Sequence, residues 1–269
     1  MGYYVKTFSN IKLYVEDLNP QGKKTILFLH GWPGSHKLFE YQFDQLPKHG
    51  FRCIGVDTRG FGNSDKPWDG YDYDTLADDV KCVVDTLKLK DFTLLGHSTG
   101  GAIAIRYMAR HNGYGVSKLV LAAAAAPSII KRPNFPYGVN KEVILNIIST
   151  TYSDRPKMLR DFGDIFFFQY ITEPFSEWFL QLGLQAAGWS TAAIANTWLK
   201  DEKLFSDLEK IDVPTLIIHG IHDKVVLFQL GEIQNQCIKG SKLMPFEFSG
   251  HASFYDEKDK FNNELIKFI

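Results

Sequence analysis

Cysteine is scarce in this 269-residue sequence: Cys53, Cys82 and Cys237 stand far apart, with no C-x-x-C pair and no metal-like spacing. An odd, sparse set of cysteines argues against a disulfide framework and points to reduced thiols in a reducing compartment. An excess of charge is also missing. Lys and Arg total 30 against 31 Asp and Glu, for a formal net charge of -1, so nucleic acid and anionic membrane surfaces are excluded as main partners. There is no long apolar run either. The longest, from Val116 to Ile130, is interrupted by Ser117, Lys118, Pro127 and Ser128, and it falls short of the roughly 20 residues a spanning helix needs. The opening Met1-Gly2-Tyr3-Tyr4-Val5-Lys6 has no basic-then-apolar leader, and Lys6 stands where an N-myristoylation motif wants Ser or Thr. The expectation is a soluble cytoplasmic protein. No repeat, linker or low-complexity tract is present.

What is present is the composition of a folded protein, with 45% hydrophobic and 23% charged residues. The first half alternates short β-rich runs with amphipathic helical patterns. Val5–Phe8 and Ile11–Val15 flank Ser9-Asn10 as a hairpin, and Thr25–Leu29 is an unbroken apolar run of the kind buried on both faces of a parallel sheet. Leu38–Leu46 has helical spacing, Cys53–Val56 is a second buried strand, and Leu76, Val80, Val83, Val84 and Leu87 line one helix face with Asp72 or Asp74 placed to cap it. Phe92–Leu95, Ala102–Ala109 and Leu119–Ala122 continue as strand, helix and strand.

That rhythm stops from about Pro127 to Leu204, which is rich in Phe and Trp and helix-like. It resumes with a strand at Thr215–Ile218, a helix around Leu227–Gln236, a strand at Lys242–Phe246 and a last helix. The expected fold class is α/β: a mostly parallel central sheet with helices on both faces, a core formed by residues 1–126 and 205–269, and a helical cap insertion at 127–204.

Gly96-His97-Ser98-Thr99-Gly100 fits G-x-S-x-G and sits where a strand turns into a helix. A turn that sharp forces its middle residue to positive φ, and glycines two positions away on either side remove the Cβ atoms that would clash. Ser98 is therefore the candidate nucleophile, raised at the carboxyl edge of the sheet. A serine hydroxyl is a poor nucleophile at neutral pH and needs a base. His251, in Phe248-Ser-Gly-His251 after the last strand, fits that position better than His222, while His30 and His97 flank key glycines and shape loops. Asp223, just beyond the strand Thr215–Ile218, is the candidate acid that orients the imidazole. His30-Gly31-Trp32-Pro33-Gly34 follows the first buried strand. The backbone N–H groups of Trp32 and Thr99 are the expected oxyanion donors, since Pro33 has none.

Together with Asp57–Pro67, Tyr71–Thr75 and His219-Gly220, these motifs make the chain resemble the α/β-hydrolase family, in the branch of aryl esterases and cofactor-free haloperoxidases (perhydrolases). The resemblance runs end to end. It implies an α/β-hydrolase fold and a Ser-His-Asp hydrolase of small esters that needs no cofactor, metal or haem, with peracid formation from hydrogen peroxide as a side activity. It also implies a small-molecule ester or acyl substrate, no nucleic acid and no membrane, with a homo-oligomer left open. The sequence departs from the branch at His97 and Thr99, where an aromatic and a Met are usual, and at Ile221, where an Asp is common. Asp57 and Arg59 read as loop anchors. A C–C bond hydrolase or amidase using the same triad, or a small-molecule receptor that keeps the hydrolase fold, remain as alternatives.

Overall fold

The computed structural model describes residues 2–269; Met1, the first residue of the N-terminal reading, lies outside the described residues. Eight strands form one sheet: β1 Gly2–Lys6, β2 Lys12–Leu18, β3 Lys24–Leu29, β4 Phe51–Val56, β5 Phe92–His97, β6 Val116–Ala122, β7 Thr215–Gly220 and β8 Lys242–Phe246. Their order is β1-β2-β4-β3-β5-β6-β7-β8. β1 and β2 pair antiparallel, as do β2 and β4, and every other pairing is parallel. β3 therefore lies between β4 and β5. The chain steps one way from β3 to β4 and returns past β3 to reach β5, so a crevice opens where the carboxyl ends of β3 and β5 diverge.

The sequence explains the burial. β5 is Phe-Thr-Leu-Leu-Gly-His and every residue in it is buried, as a strand covered by helices on both faces requires. The helix Tyr73–Thr86 packs Leu76, Val80, Val83 and Val84 inward. Its N-terminus is capped by Asp72, whose carboxylate accepts from Thr75 N at 3.0 Å, a cap worth about 1 kcal/mol. Asp74, the other candidate cap, instead pairs with Arg106 and Lys203.

Two expectations need correction. β2 runs on to Leu18 through Glu16 and Asp17, because Asp17 is not left exposed: Arg52 and Tyr3 both donate to it. Leu38–Leu46 does not form one helix. A 3₁₀ turn at His36–Phe39, a single α-turn at Glu40–Phe43 and a second 3₁₀ turn at Leu46–His49 replace it. Pro47 supplies no N–H to a continuing helix, and Gly50 ends the piece at φ 82°.

Within residues 127–204, all of them described, the chain forms helices Lys141–Ser153, Arg155–Phe166, Glu173–Gln185 and Gly188–Lys200, with no strand joined to the sheet. Asp154 and Thr172 cap the second and third of these, each followed by a proline in the first turn. Among the described residues no helix is long and apolar enough to cross a membrane. The three cysteines are free, and burial pushes the Cys53 thiol up to about 12.

Candidate active site

Ser98 is the first residue beyond β5 and the cap of the helix Thr99–Arg110, with φ 53° and ψ -121°. A non-glycine residue holds such a backbone when its surroundings dictate it. Ser98 N donates to Ala122 O at 3.0 Å, while its carbonyl accepts from Gly101, Ala102 and Ala125. A Cβ at Gly96 would run into the Gly100 carbonyl, and one at Gly100 into that of Leu29. The two flanking glycines thus let the elbow press against itself and against β3.

Asp223 and His251 come from the loops after β7 and β8. Asp223 Oδ1 accepts from the amides of Val225 and Val226, both at 2.8 Å. Its Oδ2 accepts from His251 Nδ1 at 2.7 Å. With that proton on Nδ1, the neutral imidazole keeps a lone pair on Nε2, and Nε2 is buried with no hydrogen-bond partner among the described residues. Burial alone would raise the Asp223 carboxyl, but the His251 imidazole, helped by His219, outweighs it and holds the group well below the ordinary carboxylate range.

The loop after β3 contributes His30, Gly31, Trp32 and Pro33. His30 Nε2 accepts from Thr58 N at 3.0 Å, so its proton sits on Nδ1, which faces the Gly31 carbonyl at 3.0 Å. Burial lowers the His30 pKa, which keeps that neutral ring in place as a brace for the loop. The Trp32–Pro33 peptide is cis. Among the described residues neither Trp32 N nor Thr99 N donates to any protein acceptor. The Trp32 indole donates to Thr191 O at 3.0 Å and meets Phe162 and Trp198 edge-on, each at 5.0 Å.

A cavity of about 70 Å³ adjoins the elbow, lined by Ser98, Thr99 and Trp32 and closed by Ile129, Ile144, Phe162 and Trp198. A larger hollow, about 530 Å³, lies between Trp68, Tyr71 and Lys200, and none of the five sequence-predicted site residues lines it. It is open surface, whereas the small cavity touches Ser98, Thr99 and Trp32, so the small cavity is the relevant one. Among the described residues no group of three or more His, Cys, Asp or Glu is gathered as a metal site.

Two neighbours of the site escape sequence reasoning. His219 Nε2 donates to Val226 O at 2.8 Å and lies 3.4 Å from Asp223 Oδ2, buttressing the turn that holds the carboxylate. His97 sits buried against the His251 ring, with centroids 4.6 Å apart. The signal for His219 was its place four residues before Asp223; for His97, a link across 154 residues, there was none. His222, the competing histidine, stacks on Phe168 with ring centroids 4.0 Å apart. Asp57 and Arg59 hold loops: Asp57 accepts from His36 N, His36 Nδ1 and Asn63 N, and Arg59 pairs with Asp79.

A mostly parallel sheet with a strained serine elbow after one strand, and an Asp–His pair after two later ones, defines the α/β-hydrolase class; the family model for the alpha/beta hydrolase fold matches residues 24–152. The chain belongs to that family, in its branch of esterases and cofactor-free perhydrolases. It is 50% identical over 270 residues to the AB hydrolase superfamily protein YisY of Bacillus subtilis (strain 168), covering 100% of this chain and 99% of that one. It is 32% identical to the bifunctional esterase/perhydrolase DCH of Acinetobacter calcoaceticus, with 99% of each chain covered. Among solved structures, the esterase EaEST of Exiguobacterium antarcticum superposes with a TM-score of 0.96 at 44% identity, covering 100% of this chain and 99% of that one.

Proposed function

We propose that this protein is a serine esterase of small carboxylic esters working through an acyl-enzyme, with perhydrolysis as a second fate of that intermediate. The observation that carries the reading is the buried His251, held at Nδ1 by Asp223 and bare at Nε2, at the same sheet edge as the strained Ser98. In this reading residues 1–126 and 205–269 are the catalytic core, and 127–204 are a cap that walls the cavity.

Ser98 Oγ attacks the acyl carbon as its proton passes to His251 Nε2, while Asp223 stabilises the imidazolium. The oxyanion accepts from the N–H groups of Trp32 and Thr99, donors with no protein partner to give up; one such donor is worth about 3 kcal/mol. Collapse expels the alcohol, which takes the proton from His251. Water then attacks the acyl-enzyme, losing its proton to His251, and Ser98 leaves with that proton. Hydrogen peroxide in place of water releases a peracid, and the relative named an esterase/perhydrolase supports this branch.

The cavity sets the acyl size. At about 70 Å³ it is roughly half the size of an apolar cavity of about 150 Å³ that takes a benzene ring. That space favours short acyl groups such as acetyl and propionyl over long chains.

The test is a series of p-nitrophenyl esters from acetate to decanoate, with and without peroxide, on the wild-type protein and on Ser98→Ala. Acetate and propionate should be fastest, Ser98→Ala should lose all of them, and a fluorophosphonate should add once, at Ser98. An adduct on another serine, or retained turnover in Ser98→Ala, overturns the reading.

A further inference from the structure

The loop that carries His251 is fastened from two directions by consecutive carboxylates. Glu257 Oε2 accepts from Phe248 N at 3.0 Å and from Ser249 Oγ at 2.6 Å, within the loop's own neighbourhood. Asp256 reaches further. Its Oδ2 accepts from Gly250 N at 2.8 Å and also from Phe168 N at 3.0 Å, and its Oδ1 accepts from Gln169 N at 3.1 Å. Phe168 and Gln169 follow the helix Arg155–Phe166 of the inserted segment. A single carboxylate therefore gathers three backbone N–H groups from two parts of the chain about eighty residues apart.

Other contacts run along the same seam. His251 N donates to Phe166 O at 3.0 Å, Gln169 Nε2 donates to Phe248 O at 2.9 Å, and the Phe166 ring meets the His251 imidazole edge-on at 5.0 Å. A Cβ at Gly250 would stand 3.1 Å from Phe168 N and 3.2 Å from Phe166 O, so the two backbones approach more closely than most side chains would tolerate. Three N–H donors converging on one group call for an acceptor on both oxygens. A carboxylate provides that with charge-assisted strength, whereas an amide would turn an NH₂ toward one of the donors.

We propose that Asp256 is a positioning residue that locks the inserted helices to the His251 loop, so that the base is placed for proton transfer only while the insertion is seated. The insertion is then half of the mount for the base as well as the wall of the cavity. This rests on the reading of His251 as the base of an esterase.

The test is Asp256→Ala in the full chain, read by steady-state kinetics on p-nitrophenyl acetate, by the rate of fluorophosphonate labelling, and by amide hydrogen exchange. The expected result is a fall in kcat of about 30-fold, within the loss that a displacement of about 1 Å causes. KM should stay within about threefold, labelling of Ser98 should slow by the same factor as kcat, and the amides of Phe168, Gln169 and Gly250 should exchange faster together. Asp256→Asn, which keeps the size, should show the same split and covers the case in which the alanine variant does not fold. Unchanged kcat and labelling, or a KM that rises as much as kcat falls, overturns the proposal. Failure of the esterase reading shows separately, as a wild-type protein that neither turns over the ester nor labels at Ser98. Hydrogen exchange then still reads the lock, and three amides with unchanged rates would sink it.

Discussion

His97 donates its Nε2–H to the main-chain carbonyl of His251 across 3.0 Å. The residue before the candidate nucleophile thus holds the backbone of the candidate base. A carbonyl can only accept, so the His97 proton is fixed on Nε2, and the buried Nδ1 carries none in the neutral ring. Burial, reinforced by the nearby His251, pushes the His97 pKa well below its ordinary value, so the ring stays neutral in the folded protein.

That depression has a consequence for stability. Below about pH 6.5 the unfolded chain protonates this histidine and the folded one does not, so acid favours unfolding. The contribution is fully present above that pH and declines by up to about 1.4 kcal/mol for each unit below it. His97→Phe should remove this part of the slope. Urea unfolding of both proteins from pH 7.5 to 5.5 checks it, and parallel curves would refute it.

Asp223→Asn should slow ester turnover by about 10³-fold or more, because an amide does not secure the imidazole tautomer. His251→Ala should cost at least as much, and the double variant little more than the worse single, since the groups act as a unit. Additive losses on p-nitrophenyl acetate would separate the two residues and break the assignment.

Trp198 is the residue to change for acyl length. Its indole faces the 70 Å³ cavity and donates to Thr99 Oγ1 at 3.3 Å. It also borders a small void of about 10 Å³ shared with Ala125 and Ile129. Trp198→Ala should join the two spaces and move the preferred ester from acetate to roughly hexanoate, at a stability cost of about 3–5 kcal/mol. The ratio of the two kcat/KM values measures it; a preference still at acetate would place the limit elsewhere.

Pro33 bears on the choice between water and peroxide. Its ring fixes its own φ and restricts Trp32 to extended backbone, and among the described residues the Trp32 carbonyl accepts no protein hydrogen bond. Peroxide has a second O–H to give to such a carbonyl. Pro33→Leu should lower peracid formation relative to hydrolysis of one acetyl ester by about one hydrogen bond, roughly 1 kcal/mol. Equal ratios in the two proteins would show that the loop does not discriminate.

Much of this was legible in the sequence because each feature is local. Gly96 and Gly100 around Ser98 mark the elbow through a steric demand met within five residues, and the apolar runs of β3 to β7 mark buried strands. Asp223 and His251 each follow a strand end, and the loops there bring them into one hydrogen bond. Features made by distant segments were not legible. The hydrogen bond from His97 to His251 and the three amides gathered by Asp256 depend on how loops meet at the sheet edge, which no spacing records. The region 38–46 misled for the opposite reason: Leu38, Phe39, Phe43 and Leu46 have helical spacing, yet three short turns also present Leu38, Phe39 and Leu46 to the core.

The cavity beside Ser98 takes one edge from the sheet loops and most of its apolar wall from residues 129–198. Inheritance can act on these two parts separately. In the proposed esterase, substitutions among Ile144, Ile147, Phe162 and Trp198 would exchange one acyl preference for another while Ser98, Asp223 and His251 passed unaltered from ancestor to descendant. A lineage built this way can diversify its diet without reinventing its chemistry, and the seam at Phe166–Gln169 is where that freedom should stop.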